Sequence, residues 1–186
     1  MSKSIPSRRS FLKTTATSAA AITIVPSHVL GGRLGHIAPS DKLNIAGIGI
    51  GGKGRVNLRS MSTENIVALS DVDWKYSKEC FEEYPNSKRY WDWRLMFEEM
   101  GDSIDAVMIA TSDHTHATIA ATAIKAGKHV YCQNPLTHSV YESRLLTRLA
   151  QEYKVATQMG NQGNSAPEAR TVEEMIWAGE IGEVKE

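Results

Sequence analysis

The chain has 186 residues, and 21 Lys and Arg balance 21 Asp and Glu, so the formal net charge is zero. That balance argues against a nucleic-acid partner, which a basic surface would serve. Cys80 and Cys132 make no disulfide framework, and each falls where a small buried hydrophobe is expected. The length suits one domain with a real core plus additional segments.

The N-terminal stretch Ser7-Arg8-Arg9-Ser10-Phe11-Leu12-Lys13 pairs two arginines with an apolar pair and a lysine, and no charged residue follows from Thr14 to Gly32. The uncharged part is rich in Thr and Ala, too short and too polar for a membrane span. The segment resembles a twin-arginine (Tat) export signal. That resemblance implies residues 1–32 as a signal, the Tat machinery as a partner, and a periplasmic or exported location. No A-x-A cleavage site follows, so the signal can also be retained as an anchor. Tat carries folded proteins, which suits a protein that loads its cofactor before export.

Residues 33–41 read as a linker with Pro39 and Ser40. Apolar runs then alternate with helical patterns. Strands are predicted near 43–49, 65–71, 88–91, 105–110, 128–133 and 155–159. Helices are predicted near 52–61, 74–84, 93–100, 115–126, 139–153 and 167–179. Runs such as Asp105-Ala106-Val107-Met108-Ile109-Ala110 are continuously apolar, as strands covered on both faces are. The alternation predicts an α/β fold: a Rossmann-type doubly wound parallel sheet over 42–160, with ligands at the carboxyl ends of the strands. Gly101 and Gly127 sit where helix C-caps belong, and Ser139-Val140-Tyr141-Glu142 reads as a capping box.

The first strand runs into Gly49-Ile50-Gly51-Gly52-Lys53-Gly54, which fits G-x-G-x-x-G. Glycines at this turn let backbone N–H groups approach a pyrophosphate, and the helix start behind them adds partial positive charge. A second frame starting at Gly47 also fits, but the later one leaves Leu43 to Ile48 free as a complete strand. Asp71 ends the next apolar run, 22 residues past Gly49, where a carboxylate can accept the ribose hydroxyls of NAD. It repels a 2′-phosphate, and no Arg directly follows in Val72-Asp73-Trp74, so NAD is expected over NADP. Trp91 and Trp93 follow the third strand; they can line the adenine side, with core packing the favoured role.

Three more strand ends are polar: Thr111-Ser112-Asp113-His114-Thr115-His116, Gln133-Asn134-Pro135, and Gly160-Asn161-Gln162. All converge on the edge that carries the glycine loop, which makes a site. No third ligand accompanies His114 and His116, so no metal site is expected.

Ala110-Thr111-Ser112-Asp113-His114-Thr115-His116 and Ala126-Gly127-Lys128-His129-Val130, the latter followed by Gln133-Asn134-Pro135, also carry a family resemblance. The chain from about Lys42 resembles the N-terminal half of a Gfo/Idh/MocA oxidoreductase. The resemblance implies an enzyme that uses NAD on a sugar or polyol, with a second α/β substrate domain and a homo-oligomer when full length. Residues 161–186 are then a connecting segment and the start of that second domain. The resemblance places Thr111, Ser112 and His116 beside the cofactor, with the residue at Asn134; Gln133, Asn161 and Gln162 are further candidate contacts because their strand ends reach the same edge. A polar helix start is the alternative for His116.

Asn134 departs from the family pattern, which has Lys there, thought to contact the cofactor and the reacting hydroxyl. Asparagine keeps a donor and loses charge and proton. Two further readings follow. One is a glycoside hydrolase that recycles bound NAD through oxidation, elimination and reduction. The other is a catalytically impaired dinucleotide-binding fragment. In an exported protein a tightly held, internally recycled cofactor is expected.

Overall fold

The computed structural model describes residues 41–182. Residues 1–32, read from sequence as an export signal, and the linker residues before Asp41 lie outside the described residues. A compact unit begins at Leu43.

Six parallel strands form one sheet: β1 (Asn44–Ile48), β2 (Asn65–Ser70), β3 (Lys88–Tyr90), β4 (Ala106–Ile109), β5 (His129–Gln133) and β6 (Thr157–Gly160). Their spatial order is β3-β2-β1-β4-β5-β6. The helices are α1 (Lys53–Ser60), α2 (Lys78–Glu83), α3 (Trp93–Met100), α4 (Asp113–Lys125), α5 (Val140–Tyr153) and α6 (Pro167–Trp177). This is the expected Rossmann-type architecture. The order reverses between β1 and β4, so a crevice opens above their carboxyl ends.

Side-chain alternation sorts the sheet into two cores. Ala46, Ile48, Val107, Ile109, Val130 and Cys132 face Met96 of α3, Ile119 and Ile124 of α4, and Leu146 and Leu149 of α5. Ile45, Leu69 and Met108 face Leu58 of α1 and Cys80 and Phe81 of α2. Strands buried on both faces need apolar residues at every position, which explains the unbroken runs. Both cysteines are fully buried and unpaired, as their patterns predict. Burial pushes the Cys80 thiol up to about 11 and the Cys132 thiol to about 12.

The departures are local and have physical reasons. Residues 74–77 form a turn ahead of α2, with the Asp73 carboxylate accepting the Tyr76 N–H at 2.9 Å and the Asp73 carbonyl accepting the Ser77 N–H at 3.0 Å. Helix α4 begins two residues early, at Asp113. Strand β2 carries an irregularity: Ile45 pairs with Ile66 but Ala46 with Ala68, leaving Val67 as the extra residue. Gly127 takes the left-handed conformation after α4, φ 74°, as a helix stop should. Gly101 does not; its φ of −47° lets α3 tighten into a 3-10 turn over Gly101–Ser103. The Ser139/Glu142 capping box forms as read, with both reciprocal bonds.

Candidate functional site: a cleft at the carboxyl edge of the sheet

The glycine loop uses the later of the two frames. Gly47 lies inside β1, while Gly49 turns out of it with φ 74° and its N–H donates to the Ser70 carbonyl at 2.9 Å. A Cβ on Gly49 would lie 2.6 Å from the Thr111 nitrogen, so the β1 and β4 turns meet there. Gly52 also has positive φ, 49°. A Cβ on Gly54 would collide with the Gly49 carbonyl oxygen, so α1 can pack this close only because Gly54 lacks one.

Asp71 holds this loop in place. One carboxylate oxygen accepts the Ile50 N–H at 2.8 Å and the Gly51 N–H at 3.1 Å; the other accepts the Asp73 N–H at 2.9 Å. An ionised carboxylate offers about four lone-pair sites, so capacity remains for a hydroxyl. The sequence reading assigned Asp71 only to a ribose; the structure adds that it fastens the loop. Ile50 is fully buried in the core, so only its backbone serves the site.

A cleft of about 580 Å³ opens above these groups. Its floor includes Gly49, Gly51, Gly52 and Lys53; Asp71 and Val72 line one side and Thr111, Ser112, His114 and Thr115 another. The residues fit a dinucleotide: a bare-backbone cradle at a helix start for a pyrophosphate, with a carboxylate beside it for a ribose.

His116 stands apart from the cleft. It is 1% exposed, with Nδ1 2.7 Å from the Pro135 carbonyl and Nε2 3.1 Å from the Thr111 carbonyl. The ring faces two acceptors and ties the β4 turn to the β5 turn. A neutral imidazole can donate to only one of them. The structure thus places His116 behind the wall that His114 and Thr115 present to the cleft.

The β5 and β6 ends form a second cluster. Asn57, only 5% exposed on α1, donates to Gln133 Oε1 at 2.9 Å. Gln162 Nε2 lies 2.8 Å from the Tyr131 hydroxyl, 3.1 Å from Gln133 Oε1 and 3.2 Å from Asn57 Oδ1. Gln133 and Gln162 therefore spend their amides on one another and on Asn57. Asn134 and Asn161 are exposed, and the Asn134–Pro135 bond is cis. None of these four predicted residues lines the cleft above the glycine loop.

Sequence reasoning missed Asn57 and Tyr76. Asn57 had a faint signal, a polar residue on the sheet-facing stripe of α1. The Tyr76 ring lies against Gly51 and Gly52, and only the tertiary turn puts it there. Trp91 also differs from its favoured core role: it is 57% exposed and lines the cleft. Trp93 packs partly buried against the core and also lines the cleft, so it has both roles.

Comparison with known proteins agrees with this geometry. The family model described as "Oxidoreductase family, NAD-binding Rossmann fold" (GFO_IDH_MocA) matches residues 43–161. Myo-inositol 2-dehydrogenase of Thermotoga maritima is 30% identical over 115 residues, 59% of this chain and 33% of that protein. Inositol 2-dehydrogenase of Corynebacterium glutamicum is 27% identical over 151 residues, 78% of this chain and 44% of that protein. A crystal structure of an NAD-binding oxidoreductase from Klebsiella pneumoniae superposes with a TM-score of 0.63 at 29% identity, covering 76% of this chain and 40% of that one. The chain thus spans less than half the length of each of these relatives. With its glycine cradle, its acidic clamp and its strand order, the chain belongs to the Gfo/Idh/MocA oxidoreductase family and carries that family's NAD-binding Rossmann domain.

Proposed function

We propose that the protein is an NAD-dependent oxidoreductase acting on a sugar or polyol, with NAD held tightly and recycled within each cycle. The observation that carries this reading is the Asp71 carboxylate clamped to the N–H groups of Ile50 and Gly51 at the cleft. It preorganises the cradle and presents negative charge where a 2′-phosphate would sit, favouring NAD over NADP. The relatives named as inositol dehydrogenases support a hydroxylated carbon as the substrate class.

The Gly52 and Lys53 N–H groups at the start of α1 would hold the pyrophosphate, with Gly51 leaving room for it, Asp71 would hold a ribose, and Thr111 and Ser112 would form the far wall. When bound, NAD supplies the hydride acceptor. Asn134 then matters for the proton. Its amide can donate a hydrogen bond to a substrate oxygen but cannot take the hydroxyl proton, and it brings no charge to a developing alkoxide. The amide and phenol cluster of Gln133, Gln162, Asn57 and Tyr131 at the same strand ends contains no carboxylate, lysine or histidine. In this reading the base comes from a second, substrate-binding domain after the Rossmann unit of 42–160. Residues 1–32 serve as a Tat export signal that delivers the loaded protein to the periplasm.

The same Asn134 favours a second reading, a dinucleotide-binding protein with impaired catalysis. The protein as the cell makes it, offered a panel of sugars and polyols, separates the two by the absorbance of bound cofactor reduced in a single turnover and by the sugar product formed over many. Turnover by the wild type, changed little in Asn134→Lys, supports the first. A silent wild type that gains activity in Asn134→Lys supports the second, and silence of both with bound NAD present would remove the dehydrogenase reading.

A further inference from the structure

We propose that Trp91, backed by Trp74, is the platform on which the adenine base of the dinucleotide stacks, and that this indole pair sets the base selectivity of the cleft. The inference rests on reading the cleft as a dinucleotide site.

Trp91 and Trp74 stack with ring centroids 4.4 Å apart and planes 6° from parallel. Trp74 leans in turn on Phe81, centroids 5.3 Å apart, and joins the core beneath α2. Its indole N–H is buried with no hydrogen-bond partner, so packing alone fixes the ring. The pair is therefore anchored at its inner member and open at its outer one. Trp91 leaves 57% of its surface to water at the cleft edge. A large aromatic left this exposed, and held flat from behind, is a stacking surface awaiting a planar partner.

Register supplies the address. The Asp71 N–H donates to the Tyr90 carbonyl at 3.1 Å, so Trp91 directly follows the residue paired with the Asp71 backbone. The base of a nucleotide is one glycosidic bond from its ribose. A ribose on Asp71 thus brings its base to the neighbouring strand end, where the exposed indole lies. The opposite wall offers Ser112 and Thr115, small polar groups that suit the edge of a base rather than its face. An aromatic floor with polar groups across from it favours a purine over a pyrimidine by overlap area, with no base-specific hydrogen bond required.

Calorimetric titrations of the purified protein with NADH, AMP, UMP and nicotinamide mononucleotide test this, with wild type, Trp91→Ala and Trp91→Phe. AMP should bind the wild type, quench indole emission and outcompete UMP. Trp91→Ala should weaken NADH and AMP by roughly 10-fold each, leave nicotinamide mononucleotide unchanged, and be largely rescued by Trp91→Phe. Trp91 is exposed, so circular dichroism should match wild type. If wild type binds NADH and Trp91→Ala binds it equally well, the platform is wrong while the cleft assignment stands. If wild type binds neither NADH nor AMP, the dinucleotide reading itself fails and takes the platform with it.

Discussion

The two ends of the strand edge are built from opposite materials. Over β1, β2 and β3 the site is backbone, one carboxylate and aromatic rings: glycine N–H groups, Asp71 and the Trp74–Trp91 stack. Over β5 and β6 it is neutral amides, with Asn57, Gln133 and Gln162 bonded to one another and Asn134 left in solvent. The first end is shaped for a ligand with its own negative charge and a flat base. The second can orient a neutral hydroxylated ligand, and its amide cluster holds no ionised group for moving a proton. The difference separates binding from chemistry along one sheet, and each end can be broken by itself.

The largest expected effect is at the reaction end. Asn134→Lys puts a charged donor where only an amide stands: with the base supplied by a second domain turnover changes little, whereas an impaired site would gain about 10²- to 10³-fold. Steady-state kinetics on a responsive sugar measure it. An unchanged rate is the result the proposed function predicts, because proton transfer is then handled elsewhere; a large gain would favour the impaired reading.

At the binding end, Gly54→Ala forces a Cβ onto the Gly49 carbonyl oxygen. The loop must open, with a stability loss of about 3 kcal/mol and loss of detectable NAD binding. Thermal unfolding and calorimetry report the two parts; a variant as stable as wild type that still binds NAD would show that the close approach is not required.

Asp71→Asn keeps shape and removes charge. Charged hydrogen bonds contribute about 1.5–3 kcal/mol each, so NAD affinity should fall about 10- to 100-fold while discrimination against NADP relaxes. Retained discrimination would place cofactor choice elsewhere.

The smallest effect is electrostatic and lies outside the cleft. Arg59 and Arg55 of α1 hydrogen-bond Glu83 of α2 and hold its carboxyl down from the ordinary 4.5 to about 2. A depressed acid stabilises the fold above the unfolded value. This contribution is therefore present above pH 4.5 and is lost as pH falls toward 2. The groups are partly exposed, so Glu83→Gln should cost under about 1 kcal/mol near neutral pH and flatten the acid limb of the stability curve. An acid limb identical to wild type would show that the pair contributes nothing.

Legibility follows the same division. Element order, parallel pairing and the glycine turn follow from local patterns: apolar runs, Gly49 leaving a strand, Gly54 opening a helix. Asp71 was legible by spacing. What stayed hidden depends on side chains from distant segments meeting. Asn57 becomes a site residue only because α1 lies beside β5 and β6. His116 turns inward because two carbonyls, at Thr111 and Pro135, converge on it. Trp91 meets Trp74 only because the turn after β2 lies beside the end of β3, a contact between segments that helical periodicity does not register.

The central claim is that the cleft over β1, β2 and β4 holds NAD. Native mass spectrometry of the protein purified from an expressing cell tests it most directly. The account predicts a retained ligand with the mass of NAD rather than NADP, lost in Asp71→Asn. A correctly folded protein that arrives without a dinucleotide and takes up none when NAD is added would contradict it.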